Sequence, residues 1–334
     1  MHRISSSPRP GWQQTVRDQG VSVGRWDESA CYVLDLGEVL RLEAVTQELY
    51  EMCLVAARHV AEQGRYADFG IPEWAVPAVN ASLRSDAPSL CSRLDLWYDG
   101  SQPPRLLDCR PDVPGGLVET AIAQWYWLEQ SRPDQDQWNS VHDRLVGGWR
   151  RIGYGLPSRT VHFGWSQTDQ EGTEELAAGY LAGAAEQAGL AARLVPMHLI
   201  GWDGERFLDD ENTPITTCVK RYPWEWMVRE PYGRVALVPG ATTIWIEPPW
   251  KLLLAGGPLL AVLWQLYPDH PNLLPVQPGG SPALPAPPSF SGNPVVLTSW
   301  VVTGEDGRVQ PAGAGFRESN GDGTDRFVPH YVAR

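Results

Sequence analysis

Residues 91–129 place the strongest constraint on the fold of this chain, because two alternating segments flank a short turn. Apolar and polar side chains alternate over residues 94–98, which predicts a strand with one buried face. A turn is predicted at 99–101, and the apolar pair Leu106 and Leu107 predicts the returning strand. Together these segments predict a β-hairpin.

A helix is predicted after this hairpin. A Pro/Gly loop spans residues 111–116, and residues 117–129 then carry apolar side chains three to four positions apart. That spacing gives a helix one buried face. The predicted buried residues are Ala121, Ile122, Trp125 and Leu128.

Charged residues are placed at two-residue spacing along both strands of the hairpin. Arg93 and Asp95 occupy the first strand, and Asp108, Arg110 and Asp112 follow the second. Residues two apart on a strand share a face, so pairing of the strands would bring Asp95 and Asp108 together. Two such carboxylates suit a hard cation such as Mg²⁺. The alternative is a solvated outer face whose Arg–Asp pairs contribute little.

Periodicity predicts further elements along the chain. Helical spacing of apolar residues predicts helices over 38–63 and 134–147. A strand at 159–165, a helix at 173–188 and a strand at 190–197 predict a βαβ unit, because parallel strands need a crossover helix. The chain is therefore expected to belong to the α/β class.

The hairpin resembles that of the glutathionylspermidine synthase family of ATP-grasp ligases. The family hairpin has R-x-D on its first strand and E-x-N-x-D on its second, and a substrate loop and a helix rich in Trp and Glu follow. Four further segments are similar and come in the same order: 184–210, 220–227, 246–275 and 315–332. The resemblance covers most of the chain after about residue 25 and implies a pre-ATP-grasp domain with a reduced ATP-grasp region.

The resemblance implies an ATP-dependent ligase that joins a small peptide-like carboxylate to an amine, with ATP and Mg²⁺ as cofactors. In this interpretation Asp95 and Asp108 hold Mg²⁺. Arg93 and Arg317 match family positions that would steady the phosphates during transfer. An ordinary strand-end role, in which Arg317 pairs with Glu318 or Glu305, is the alternative for that residue.

The resemblance also assigns substrate-binding residues outside the hairpin. Glu171 would attract the ammonium group of an amine, and its alternative role is to complement the dipole of the helix that follows. Lys220 and Glu225 lie in the segment 220–227, which in the family contributes to the substrate cleft. Without the resemblance, the same segment would be a Trp-rich corner of the core with a surface lysine.

The chain departs from the family pattern where phosphates would be bound. Gly256-Gly257 replaces an Asn-Lys dipeptide, and residues 276–293 contain no Lys or Arg where a second lysine and a glycine-rich loop are expected. Arg110 replaces an Asn of the metal motif. Each lost phosphate contact typically lowers a rate on the order of 10²-fold, so no useful turnover is expected without a partner, and ATP is expected to bind weakly or not at all.

Two further functions therefore stay open beside the ligase. One is a catalytically inactive descendant that keeps the cleft and acts as a binding or partner protein. The other is a small-molecule receptor with a cleft lined by some of the 16 Trp residues. The departures from the family pattern favour the first of these.

The remaining expectations concern binding partners, cellular location and domain boundaries. A net charge of −13 without a basic stretch argues against a nucleic-acid partner. No apolar run is long enough for a membrane span, and five scattered cysteines without metal-ligand spacing favour a reducing cytoplasm. We expect a loose segment over 1–24 and a single module over 25–334, in which 274–294 is a linker that replaces part of the ATP-grasp subdomain.

Overall fold

The computed structural model of the chain has a mixed α/β fold, in which the described residues form a six-stranded antiparallel sheet, a four-stranded parallel sheet, a three-stranded sheet and a two-stranded sheet. The described residues are 1–85, 87–167, 172–238, 240–276, 285–319 and 324–333. In these ranges no helix combines the length and the apolar character that crossing a membrane requires.

Helices and strands are interspersed along the chain as far as residue 266, and five strands follow in the described residues. The strands are β1 (His2–Ser5), β2 (Ala30–Asp35), β3 (Cys91–Trp97), β4 (Arg105–Arg110), β5 (Thr160–Trp165), β6 (Ala191–Pro196), β7 (Gly201–Trp202), β8 (Phe207–Leu208), β9 (Thr217–Arg221), β10 (Ile244–Ile246), β11 (Ser289–Phe290), β12 (Asn293–Thr303), β13 (Val309–Ser319), β14 (Asp325–Val328) and β15 (His330–Ala333). The helices are α1 (Trp12–Asp18), α2 (Leu36–Glu62), α3 (Val76–Arg84), α4 (Gln124–Ser131), α5 (Val141–Gly153), α6 (Thr173–Gln187), α7 (Trp224–Met227), α8 (Pro231–Ala236) and α9 (Gly256–Leu266).

The antiparallel sheet has the strand order β14-β13-β12-β3-β4, with β11 paired to β12. It contains the hairpin predicted from the sequence, because β3 and β4 pair directly. Leu94, Leu96 and Leu106 are completely buried on one face. This alternation turns the intervening charged residues to the opposite face.

The parallel sheet has the order β10-β9-β5-β6. The predicted βαβ unit is confirmed, since β5 and β6 run parallel and α6 connects them. Strand β9 enters beside β5, in register from His162↔Cys218 to Trp165↔Arg221. The carboxyl end of β9 thereby delivers Lys220 toward the hairpin side of the molecule.

The long helix α2 supplies much of the core between these sheets. Its predicted span of 38–63 agrees with the observed Leu36–Glu62. The Asp35 side chain accepts a hydrogen bond of 2.7 Å from Glu38 N and so caps the first turn. Beyond its end, Gly64 has a φ of 66°, which glycine adopts without steric cost.

The first residues of the chain are more ordered than expected. The prediction of a loose segment over 1–24 does not match the structure, because β1 pairs antiparallel with β2 and α1 follows it. Arg9 is buried, and its backbone N–H and guanidinium both donate to the fully buried Glu28. A polar sequence with clusters of Ser and Pro was interpreted as loose, whereas these two charges compensate each other inside the fold.

Two predicted helices differ from the observed ones. The helix predicted over 117–129 begins with a π-helical turn, Glu119–Ala123, before α4. The wider turn rotates the buried face, so that Trp127 is fully buried and Trp125 is 43% exposed. The helix predicted over 134–147 starts later, as α5, because residues 136 and 139 instead make β-bridges to the sheets.

Close packing of α5 on β12 generates a stability prediction. A Cβ added at Gly148 would lie 2.3 Å from the backbone oxygen of Thr303, whereas one added at Gly183 in α6 meets nothing within 4 Å. Gly148→Ala should lower the free energy of unfolding by about 1–3 kcal/mol. Gly183→Ala should raise it by up to about 1 kcal/mol through helix propensity. Urea unfolding measures both, and equal stability of Gly148→Ala and the wild type would contradict the packing.

Candidate functional site

Four charged residues predicted to act together converge on one face of the antiparallel sheet. Asp95 on β3 lies directly opposite Asp108 on β4, as the sequence predicted. Arg93 is two residues before Asp95, and Arg317 reaches the same carboxylate from β13. Strands β3 and β4 form one hairpin, whereas β13 is distant in sequence, so only the completed sheet brings Arg317 to the other three residues.

The Asp95 carboxylate is held between two guanidinium groups. Arg93 Nε donates to Asp95 Oδ1 at 2.7 Å, and Arg93 Nη2 donates to Oδ2 at 3.0 Å. Arg317 Nη2 donates to the same Oδ2 at 2.8 Å. Arg93 and Asp95 are each 5% exposed, so water screens these charge-assisted bonds little.

One hydrogen-bond donor of the Arg317 guanidinium has no partner among the described residues. Its Nη1 donates to Asp325 Oδ2 at 3.1 Å, while its Nε is buried and has no partner among the described residues. Burial lowers the pKa of the Arg317 guanidinium, and Asp95 opposes this shift. An unpaired buried donor is unfavourable, and a ligand oxygen beside it would restore the missing bond.

Asp108 lies at the more open end of the same face. Arg110 Nη2 is 2.8 Å from Asp108 Oδ2, and the Arg110 side chain is 57% exposed. Burial raises the pKa of the Asp108 carboxyl, and the charge of Arg110 opposes that rise. The position at which the family motif has Asn thus holds the cation that pairs with Asp108.

The donor set does not fit a resident Mg²⁺ ion. Each of the two predicted metal ligands, Asp95 and Asp108, already pairs with a guanidinium group that a cation would have to displace. Among the described residues, no group of three or more His, Cys, Asp or Glu side chains is arranged to hold a metal. The face is better suited to an anion than to a bare divalent cation.

A cavity of about 350 Å³ lies beside the open end of the hairpin. Its walls include Asp108, Arg110 and the exposed Glu225. Ala255 and Gly256 line the other side, where the family has its Asn-Lys dipeptide. The cavity therefore joins acidic and basic side chains in one space open to solvent.

Lys220 does not line that cavity with its ammonium group. Its side chain is fully buried, and Nζ donates to Asp112 Oδ1 and, at 3.1 Å, to Tyr222 O. The Trp224 ring lies 4.5 Å from the same nitrogen. Burial lowers the pKa of Lys220 and raises that of Asp112. Neither a surface lysine nor a substrate contact describes this residue, which forms an internal ion pair.

A second buried lysine, Lys251, was weighed from the sequence only as an out-of-register substitute for a family lysine, and its ion pair with Glu247 was missed. Lys251 Nζ lies 2.6 Å from Glu247 Oε2 and donates to Cys91 O at 2.7 Å. Glu247 in turn accepts hydrogen bonds of 2.9 Å from the backbone N–H groups of Leu90 and Cys91. This network fixes the start of β3, and neither charge is free for a ligand. The Glu-Pro-Pro-Trp-Lys sequence was the available signal, since a Glu four residues before a Lys is a common pairing distance.

Arginines anchor the loop that follows the hairpin. Arg93 Nη1 donates to Gly115 O, and Arg221 donates to Pro114 O at 3.2 and 3.3 Å. Arg221 Nε also donates to Glu174 Oε2 at 2.8 Å. The predicted amine-binding residue Glu171 lies outside the described residues.

Comparisons with known proteins give a consistent result. The family model described as "Glutathionylspermidine synthase preATP-grasp" matches residues 3–286. A Haemophilus influenzae protein named "Putative acid--amine ligase" is 34% identical over 255 residues, which are 75% of this chain and 64% of that protein. The bifunctional glutathionylspermidine synthetase/amidase of Escherichia coli is 25% identical over 256 residues, 69% of this chain and 40% of that protein.

One more relative and one solved structure extend the comparison. Trypanothione synthetase of Crithidia fasciculata is 24% identical over 289 residues, 76% of this chain and 43% of that protein. A glutathione synthetase-like effector from Globodera pallida, solved without ligand, shares the fold with a TM-score of 0.56 at 9% identity, covering 99% of this chain and all of that one. The chain spans about two fifths to two thirds of the length of these curated relatives.

Lys220 provides a test of the internal ion pair. Lys220→Met should lower the free energy of unfolding by about 3–5 kcal/mol, because it leaves Asp112 buried without its partner. The double variant Lys220→Met/Asp112→Asn should recover part of that loss. Urea unfolding measures both variants. A lysine used only to contact substrate would leave stability unchanged.

A substitution of Arg110 tests whether its guanidinium group occupies the position that a metal ion would take. Arg110→Asn should tighten Mg²⁺ binding by about fivefold, since a half-exposed ion pair contributes about 1 kcal/mol or less. Isothermal titration with MgCl₂ measures the change. Arg105→Asn is the matched control, because Arg105 is on the same strand but faces the Trp97 ring. Equal affinities in both variants would show that Arg110 does not compete with the metal.

Proposed function

Because the chain belongs to the glutathionylspermidine synthase family, we propose that it is an acid–amine ligase. It joins a small peptide-like carboxylate to an amine and uses ATP as the activating co-substrate. The observation that carries the proposal is the convergence of Arg93, Asp95, Asp108 and Arg317 on one sheet face beside a cavity of about 350 Å³.

The proposed reaction begins at the basic end of this face. A carboxylate oxygen attacks the γ-phosphorus of ATP, the bond to the β-phosphate oxygen breaks, and ADP leaves. Negative charge then collects on the transferred phosphoryl oxygens. Arg317 supports this step through its Nε, which has no partner among the described residues, and Arg93 holds Asp95 and the backbone oxygen of Gly115 in place.

The amine enters at the acidic end of the cavity. An alkylamine arrives protonated, and the exposed Glu225 provides negative charge along its path, as does Asp108 where the ammonium group displaces the Arg110 guanidinium. After the amine loses its proton, its nitrogen attacks the acyl carbon, the amide bond forms, and inorganic phosphate leaves. Glu171 remains a proposed additional attraction for the ammonium group.

Nucleotide affinity is expected to be low. The two lysines near the proposed site, Lys220 and Lys251, are engaged in buried ion pairs. Residues 276–293 contain no cation, and we propose that 274–294 replaces part of the ATP-grasp subdomain within a module spanning 25–334. Mg²⁺ would accompany ATP as its complex, and no step is assigned to a resident metal.

The non-catalytic alternative receives no support from the relatives, whose printed names describe ligases and synthetases.

All five cysteines are free and buried, in keeping with the proposed cytoplasmic location.

The ligase proposal is tested by product formation. The chain is incubated with millimolar MgATP, glutathione and spermidine, the acid and amine that the family name provides. ADP, phosphate and an amide of the summed mass less one water are expected, by ³¹P NMR and mass spectrometry. Arg317→Ala should lower turnover by on the order of 10²-fold. Arg150→Ala, which removes an exposed arginine paired with Glu305, is the control. The absence of ADP release across a panel of peptide acids and polyamines would overturn the proposal.

A further inference from the structure

We propose that a second cavity, formed by α2, α5 and the segment 248–256, binds a small organic anion with an apolar or aromatic body. Its volume is about 310 Å³, within the usual range of roughly 300–1,000 Å³ for small-molecule sites. Trp250 lines this cavity, whereas Leu252 and Gly256 line the hairpin cavity. None of its lining residues takes part in the proposed ligase chemistry.

One helix face supplies much of the wall. Tyr50, Leu54 and Arg58 are spaced four residues apart on α2, so they lie one above the other along the cavity. Leu83 and Trp250 add apolar surface from two other segments. Apolar side chains on part of the wall, with a cation at its edge, match a ligand with an apolar body and one charged end.

The charged groups of the cavity all have the same sign. Arg58 and Arg151 line it, both are exposed, and neither guanidinium pairs with a side chain in the part of the chain that the structure describes. The described lining residues include no Asp or Glu. The combined charge of these two arginines favours an anion.

Acidic residues near the rim are already engaged. Glu305 Oε2 lies 3.5 Å from Arg150 Nη1, and Asp306 Oδ1 accepts a hydrogen bond of 2.9 Å from Arg308 N. Among the described residues, neither carboxylate forms an ion pair with Arg58 or Arg151. The planar guanidinium groups suit either a carboxylate or a phosphate, and both ligand classes share the required charge.

The test is a binding measurement that requires no turnover. Isothermal titration of the full chain uses phenyl phosphate and benzoate as anionic probes and phenol as the neutral analogue. Phenyl phosphate or benzoate should bind with a millimolar or tighter Kd, and phenol should bind at least about tenfold more weakly. The stronger of the two anions identifies the class of charged end. Rising salt should weaken the binding.

Variants locate the binding. Arg58→Glu/Arg151→Glu should abolish anion binding, while Arg17→Glu, which reverses an exposed arginine on α1, should leave it unchanged. Because Arg58 and Arg151 are exposed, thermal unfolding of the double variant should match that of the wild type. Equal binding of phenol and the anions, unchanged binding in the double variant, or loss of binding in Arg110→Asn instead would overturn the proposal.

Discussion

The buried carboxylate of Asp95 between Arg93 and Arg317 is the interaction on which the candidate site depends. A carboxylate that is 5% exposed needs compensation, and two arginines from different strands provide it. The pairing fixes β13 relative to β3 across the intervening β12, and Arg93 also reaches the backbone oxygen of Gly115. One charge cluster thus positions both the sheet face and the loop beside it.

Other buried charges in the fold are also compensated by a residue of opposite charge. Arg9 with Glu28, Lys220 with Asp112 and Lys251 with Glu247 are buried opposite charges that join segments distant in sequence or fix the start of a strand. Such pairs contribute little net stability compared with apolar packing, but each is costly to leave half satisfied. They specify which segments meet, while the apolar cores supply the bulk of the stabilisation.

Sequence periodicity predicted the elements whose patterns are local. The hairpin, the long helix α2 and the βαβ unit each follow from the alternation or spacing of apolar residues, and the register of Asp95 with Asp108 followed from the hairpin. The family was also identified from motifs, and the family model confirms it. The π-helical turn at Glu119–Ala123 escaped prediction, because one wider turn changes the buried face without changing composition.

Charge partners were the least predictable part of the site. Arg317 lies 222 residues from Asp95, and Lys220 lies 108 residues from Asp112, so no local pattern links them. The burial of Lys220 and of Arg9 likewise depends on the completed fold. Sequence indicates which residues carry charge, whereas the sheet topology decides which charges meet.

The segment 248–256 is a partition with a different cavity on each side. Its Trp250 contacts one space and its Gly256 the other, and Lys251 ties it to the start of β3. Thermodynamic reciprocity gives this shared wall a fixed consequence. Suppose that a molecule bound in one cavity moves this wall and so changes the affinity of the other cavity for a second molecule. The second molecule then changes the affinity of the first cavity for its ligand by the same factor. Communication between the two chambers would therefore run in both directions with equal strength.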